Sequence, residues 1–311
     1  MARLTIIPDN TNIDFVGRRW FAFAVDGLLV VATIVSLWVQ GLNLGIDFTG
    51  GVVIEAASDT AVDVGSLRQK LGTLGFGEVQ IQNFGTDKDV LIRVQPSAQV
   101  TGQEQAVANK IKEALGGSFR ILRLEAVGPK VSGELFQSGV IATVLAILMI
   151  AVYVTVRFEW QFGIAGMVAT GHDVLVAVGM YSLFQFDFNL TSVAALLLLA
   201  GYSINDTVVV FDRIRENRRK YKQLPLGDLI NLSTNQTLSR TFLTSFTTAL
   251  SVVPLILFGG EALFGFAATI LWGIVIGTYS SIFVASCLLL YMPTIQMGQQ
   301  QRSNEPKGAS V

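Results

Sequence analysis

The chain has 311 residues, of which 51% are hydrophobic and only 14% are charged, with a mean hydropathy of +0.54. Soluble domains carry about 25% charged residues, so this composition indicates that much of the chain faces lipid. A net charge of −1 lacks the basic excess typical of nucleic-acid-binding proteins, and the single cysteine, Cys287, excludes an intrachain disulfide.

Six apolar segments are each long enough to cross a bilayer core, which needs about 20 residues of helix. They cover residues 21–40, 137–156, 162–181, 188–211, 242–258 and 264–291. No small-x-small cleavage site follows the first, so it is predicted to remain as an uncleaved membrane helix. The fifth extends back toward Thr234, and Pro254 is expected to kink it.

The stretch between the first two segments, residues 41–136, is predicted to fold as a soluble α+β domain. Helical spacing of Val64, Leu67, Leu71 and Leu74 indicates one helix, and a second is expected at 101–115. Strands are expected at 51–57, 78–84, 89–94 and 119–127. The order β-α-β-β-α-β is that of the ferredoxin-like fold, here attached to a six-helix polytopic membrane protein.

Lysine and arginine in short loops set the orientation of membrane helices, because these residues stay on the cytoplasmic side. Basic residues precede the first segment and follow the second, fourth and sixth: Arg3, Arg18, Arg19, Arg157, six between 213 and 222, Arg302 and Lys307. The opposite short loops, at 183–187 and 259–262, have none. We therefore predict a cytoplasmic N-terminus (1–20), a cytoplasmic tail (292–311) and a periplasmic domain at 41–136.

The remaining five helices are assigned to residues 137–291, with a cytoplasmic loop at about 212–241. That loop contains an apolar stripe at helical spacing, formed by Leu226, Leu229, Ile230 and Leu232. One interpretation is an interfacial helix at the lipid headgroups. The other is a docking surface for a cytoplasmic partner.

Charged residues inside the apolar segments are the strongest functional signal, because each costs on the order of 2.5–3.5 kcal/mol at mid-bilayer. Asp206, in the fourth segment, is the first candidate for a proton carrier, since a carboxyl group is either neutral or anionic. Arg240, at the start of the fifth, is the candidate partner because it stays charged. The alternative is a static ion pair that only fixes helix packing.

Weaker candidates surround this pair. Asp173 and His172, in the third segment, form either a second station for protons or a polar contact between helices. Asn205 and Thr207 flank Asp206 and could line a wet path. Asp26 is expected to be solvated at the cytoplasmic headgroups. Small residues recur every four positions along the sixth segment and predict close helix packing there: Gly265, Thr269, Gly273, Gly277 and Ser281.

The sequence has no signature of a soluble enzyme. It lacks a nucleotide-binding loop, a nucleophile elbow and metal-type His or Cys spacing, so no enzyme activity, catalytic residue, cofactor or metal is predicted. Energy for work would come from a gradient or from a partner. One charge crossing the membrane yields about 2.3 kcal/mol per 100 mV.

Four stretches together resemble the SecF family of bacterial protein translocase subunits. They are GIDFTGG at 45–51, HDV at 172–174, GYSINDTVVVFDRIREN at 201–217 and SRTFLTS at 239–245. The resemblance implies membership of the resistance–nodulation–division superfamily, in which proton entry moves extracytoplasmic domains. It also implies that Asp206 is the proton-path aspartate and Arg240 its arginine.

The resemblance further implies an inner-membrane protein that works with SecD to promote preprotein translocation and release at SecYEG, using the proton motive force. SecD would be a separate chain, because members act as two six-helix halves and this chain has one. YajC, YidC, unfolded preproteins and membrane lipid are further expected partners, and nucleic acid is not. The alternatives are half of a small-molecule proton antiporter and a scaffold subunit that moves no protons.

Overall fold

Six helices of the computed structural model are long and apolar enough to cross a membrane, as predicted. The structure describes residues 11–97 and 102–292, so Arg3, Arg302, Lys307 and almost all of the predicted tail lie outside the described residues. The candidate spans are Arg19–Val39, Pro129–Arg157, Trp160–Phe184, Leu190–Lys220, Leu226–Phe258 and Leu263–Tyr291.

The elements are numbered in chain order. The helices are α1 (Arg19–Val39), α2 (Ile46–Thr49), α3 (Val64–Gly72), α4 (Glu104–Leu115), α5 (Pro129–Arg157), α6 (Trp160–Phe184), α7 (Leu190–Lys220), α8 (Leu226–Phe258), α9 (Gly260–Ser280) and α10 (Ser286–Leu288). The strands are β1 (Gly51–Ser58), β2 (Gly77–Phe84), β3 (Thr86–Pro96) and β4 (Phe119–Val127). A π-helical turn, Ser281–Ala285, joins α9 to α10, and a 3-10 turn, Leu289–Tyr291, follows.

The soluble domain is a four-stranded antiparallel sheet with two helices on one face. The strand order is β2-β3-β1-β4, and the predicted succession of strands and helices is present. Alternate residues of β1, Val52 and Ile54, are fully buried against Val107 and Ile111 of α4. The intervening Val53 and Glu55 lie on the opposite face of the sheet. There Val53 packs with Ile46 of α2 and Leu91 of β3.

The two chain connections of this domain meet at a pair of glycines. Gly50 has φ +75°, and a Cβ there would lie 3.3 Å from the carbonyl oxygen of Val127, so the position requires glycine. The next residue, Gly51, pairs with Val127 in the β1–β4 ladder. The strand that follows α1 and the strand that leads into α5 are therefore hydrogen-bonded neighbours.

The segment before β1 fastens the domain to the loop between α6 and α7. Gly45 N–H donates to the Phe188 carbonyl and Phe188 N–H donates to the Asn43 carbonyl, both at 2.8 Å. The Leu190 N–H donates to the Asp47 carboxylate at 2.9 Å. Asp187 of the same loop pairs with Arg93 of β3. The domain thus contacts the loop between α6 and α7 through backbone and side chains.

In the membrane bundle, α6, α7 and α9 are central, while α1, α5 and α8 are peripheral and largely exposed. The predicted small-residue face of the last span packs inside the chain. A Cβ at Gly273 would overlap Leu199 of α7, and one at Gly277 would lie 3.0 Å from Ser203 Cβ. This face therefore serves close contact between α9 and α7.

The predicted loop at 212–241 is almost entirely helical. The helix α7 continues to Lys220 and α8 already begins at Leu226, so only residues 221–225 are irregular. Most of the apolar stripe of this region is buried within the chain. Its buried members, Leu226, Leu229 and Ile230, pack in one core with Phe211 and Leu289. These three residues are therefore covered within the chain, while Leu232 is half-buried.

Candidate functional site

Asp206 lies inside the bundle, on the face of α7 that contacts α8. It is only 2% exposed. Its carboxylate accepts hydrogen bonds from Ser245 Oγ at 3.3 Å and from Thr244 Oγ1 at 3.5 Å. The Ser245 hydroxyl also lies 2.6 Å from Thr278 Oγ1 of α9. In the described part of the chain, the hydrogen-bond partners of this carboxylate among the three membrane helices are hydroxyl groups.

Arg240 does not reach this carboxylate. It lies on α8 one turn before Thr244, its side chain is exposed, and its charge acts on Asp206 only through space. In the described part of the chain Asp206 and Arg240 form no ion pair within 4.0 Å. The static ion pair considered from the sequence is therefore not the arrangement in this structure.

Asp173 is the most enclosed carboxylate of the bundle, at 1% exposure. Ser203 of α7 donates to its Oδ2, and Ser280 of α9 donates to the same oxygen at 2.7 Å. His172 Nδ1 lies 3.1 Å from its Oδ1. The structure thus brings the two weaker candidates together and connects them to α7 one turn before Asp206.

Asp26 is not solvated at the headgroups, contrary to expectation. It is 7% exposed, because α1 packs this position against α6, and its Oδ1 lies 3.6 Å from His172 Nε2. Its position near the N-terminal end of α1 gave no sign of this burial. Contact with α6 is a tertiary feature that hydropathy along one helix does not encode.

The two polar neighbours of Asp206 take different positions. Thr207 is fully buried, and its hydroxyl lies 2.8 Å from Ser281 Oγ in the π-helical turn. Asn205 lies on the exposed face of α7. Neither makes a described hydrogen bond to Asp206, so Thr207 joins α7 to the last span and Asn205 faces outward.

Hydroxyl groups supply most of the polar contacts of the site, and sequence reasoning had missed two of them. Thr278 and Ser280, at the end of α9, had not been considered, and Ser281, at the start of the π-helical turn, had been considered only for helix packing. Such turns occur often at functional sites, because they redirect side chains within a helix. The available signal was the spacing of Thr278 and Ser281, which places them on one face of the last span.

No group of three His, Cys, Asp or Glu side chains within residues 11–97 and 102–292 has metal-binding geometry. The ionisable groups described above therefore have each other and hydroxyls as partners. The fold and site define a class: a multi-pass membrane protein with one α+β domain between its first two spans and carboxylates buried in its bundle.

Comparisons with known proteins identify the family. Residues 106–294 match the model of the protein export membrane protein SecD/SecF C-terminal family, and residues 35–62 match the SecD/SecF GG motif. The SecF subunit of Rhodobacter capsulatus is 45% identical, covering 93% of this chain and 92% of that protein. The SecF subunit of Cereibacter sphaeroides is 45% identical, covering 97% and 96%.

A solved structure agrees with this. The SecDF crystal structure from Thermus thermophilus, described as a translocon-associated membrane protein, matches with a TM-score of 0.81 and 36% identity. The match covers 92% of this chain but only 39% of the SecDF chain. The chain belongs to the SecF family of the SecD/SecF protein export membrane proteins. It is a multi-pass inner-membrane protein of the Sec protein-transport pathway.

Proposed function

We propose that this protein is a translocase accessory subunit that uses the proton motive force to promote preprotein translocation and release at SecYEG. Asp206 takes up and releases the proton. The observation that supports this is its burial among α7, α8 and α9 with only hydroxyl donors nearby. A fixed buried anion would be expected to have a paired cation, and Asp206 has none within 4.0 Å in the described part of the chain.

Arg240 acts as the switchable counter-charge. Its side chain is outside the Asp206 pocket, one turn away on α8. A helix shift that brought the guanidinium to the carboxylate would stabilise the anion and release the proton. Moving it away would favour proton uptake. Thr207, Asn205, His172 and Asp173 support this cycle as polar neighbours and as a second station.

SecD is the separate chain that completes the assembly. The exposed side chains of Asn205 on α7 and Arg240 on α8 are polar groups on membrane-spanning helices, where lipid offers them no partner. We assign this face to the contact with SecD. The 39% coverage of the SecDF chain supports the assignment, because it leaves room there for a second half.

The soluble domain is the part that acts on the preprotein. We assign it to the ferredoxin-like fold, supported by a strand order in which β3 lies between β1 and β2. We place it in the periplasm and both termini in the cytoplasm, supported by the Lys and Arg bias of the short loops. YajC, YidC and the channel itself are the proposed neighbours.

The test is export of a secretory preprotein in cells depleted of this subunit and complemented with Asp206→Asn. Asparagine keeps the size and hydrogen bonding but cannot ionise, so export is expected to fall to the depleted level while SecD still copurifies. Asp212→Asn, the same change at an exposed position of α7 whose carboxylate pairs with Arg215, is the matched control and should restore export. Full export with Asp206→Asn would leave a scaffold subunit as the function.

A further inference from the structure

A second group of ionisable side chains lies between α1 and α6, apart from Asp206. His172 of α6 is placed between two carboxylates. Its Nε2 is 3.6 Å from Asp26 Oδ1 and its Nδ1 is 3.1 Å from Asp173 Oδ1. The three side chains are 10%, 9% and 0% exposed, in the order Asp26, His172, Asp173. Both ring nitrogens therefore face an acidic oxygen inside the protein.

The two carboxylates are not equivalent. Asp173 accepts from two serine hydroxyls and lies within hydrogen-bonding distance of the ring. Asp26 has no hydrogen-bond partner on either oxygen, and both oxygens are buried, as is His172 Nε2. A buried carboxylate without donors is costly as an anion unless a positive charge or a proton balances it. The unpartnered oxygens of Asp26 are the positions where a proton can be added.

The neighbouring elements provide no other balancing charge. From α9, Tyr279 faces this region and donates to the Ala22 carbonyl, one turn before Asp26. Cys287 of α10 is the ionisable group near Tyr279, and α7 contributes Ser203 with Asp206 three residues further on. Within residues 11–97 and 102–292, no Lys or Arg pairs with the three side chains. The charges of Asp26, His172 and Asp173 must therefore balance among these three side chains.

We propose that Asp26, His172 and Asp173 form a second proton-binding site, separate from Asp206, in which Asp26 accepts a proton from water. With an imidazolium between two carboxylates the site has a net charge of minus one. One proton on Asp26 brings it to zero, and no covalent bond to carbon changes. The inference rests on the proposed function only for its role in export.

The site controls how α1 is held on the bundle. Besides Asp26, α1 contacts α6 through the Ser36–Ser182 hydroxyl pair at 2.8 Å and through Thr33, which packs on Gly179. These contacts do not depend on ionisation, whereas the attraction between Asp26 and the imidazolium is lost when Asp26 is protonated. Since α1 leads into the soluble domain, a proton at this site weakens one of the attachments that fix that domain.

The single histidine makes the site directly observable. The full chain, labelled with ¹⁵N-histidine and purified with a tag that lacks histidine, is reconstituted in lipid nanodiscs. In wild type the ring is expected to hold both N–H protons at pH about 7.5, because both nitrogens face carboxylates. Asp26→Asn removes one of these carboxylates, so the doubly protonated fraction should fall by at least about threefold. In the preprotein assay the same variant should lower export by about fivefold.

Ser36→Ala is the control, because it alters the same helix pair without removing a charge, and both readouts should stay within about twofold. An unchanged imidazole spectrum in Asp26→Asn would overturn the site, and unchanged export would overturn its role. If that variant does not accumulate, the wild-type spectrum decides alone, because a neutral ring at pH about 7.5 would also overturn the site. Asp206→Asn should stop export yet leave the spectrum unchanged, which separates failure of this site from failure of the proposed function.

Discussion

The ion pair between Arg93 and Asp187 connects the soluble sheet to the outer loop of the bundle, and we predict that breaking it from the Asp187 side loosens the contact. The Arg93 side chain is 19% exposed and that of Asp187 is 41% exposed. Burial lowers the pKa of the Arg93 guanidinium, but the group stays charged at neutral pH. Its buried Nε has no hydrogen-bond partner. Arg93 therefore depends on Asp187.

The expected loss of stability follows from the difference in burial between the Arg93 and Asp187 side chains. A half-exposed ion pair contributes about 0.2–1 kcal/mol, whereas leaving one buried polar group without its partner costs about 1–3 kcal/mol. Asp187→Asn keeps a partner for Asn43, whose amide donates to Asp187 at 2.8 Å, but leaves the arginine without a counter-charge. We expect a loss of about 1–2 kcal/mol, and less than about 1 kcal/mol for Arg93→Met, which removes the buried charge itself.

Amide hydrogen exchange measures this loss where it occurs. The amides of Gly45 and Phe188 are hydrogen-bonded across the contact, so their exchange reports its opening. Asp187→Asn should speed their exchange about 5- to 30-fold, at about 1.4 kcal/mol per tenfold. Asp59→Asn, an exposed charge loss on the same domain, is the control.

A double variant of Arg93 and Asp187 tests whether the two side chains act as a coupled pair. With Arg93→Met already present, Asp187→Asn should add little, because no charge remains to be stranded. Exchange that accelerates by the product of the two single effects would refute the coupling. So would an Asp187→Asn variant that exchanges like wild type.

Two further predictions concern packing. Gly179→Val places side-chain atoms where Thr33 lies, so it should lower the free energy of unfolding by about 1–3 kcal/mol. Thermal unfolding in detergent measures this change. The control, Gly27→Ala, adds a Cβ that meets nothing within 4 Å and should match wild type. Ile54→Ala empties part of the soluble core and should cost about 2–5 kcal/mol in the same measurement, against less than about 0.5 kcal/mol for Leu122→Ala at a position 51% exposed.

The soluble domain was predictable because its local signals agree with its packing. Leu67 and Leu71 recur at helical spacing and are buried on the sheet, as expected. The predicted strand at 51–57 is present as β1, and its first six residues are all buried, so both of its faces are covered. The helical spacing records which side of α3 is buried on the sheet.

The membrane part was predictable in its number of spans but not in its contacts. Hydropathy shows that α1 crosses lipid, yet not that Asp26 faces His172, because the partner lies 146 positions away in the sequence. The continuation of α7 to Lys220 and the start of α8 at Leu226 were missed for a related reason. Their polar residues resemble a loop in composition, although helix continuation buries Leu229 and Ile230.

The soluble domain is attached to the bundle in a way that would transmit a change at α1 to the sheet. The strand β1 continues from α1 through α2, and β4 continues directly into α5. These strands are paired, with Gly51 opposite Val127 at the membrane end. In the bundle, however, α1 packs on α6, and α5 packs on α6 and α7. We therefore expect a shift of α1 along α6 to act on one strand of this hydrogen-bonded pair while α5 holds the other, which would tilt the sheet. Arg93 of β3, paired with Asp187, lies on the side of β1 opposite β4, so this ion pair would resist such a tilt.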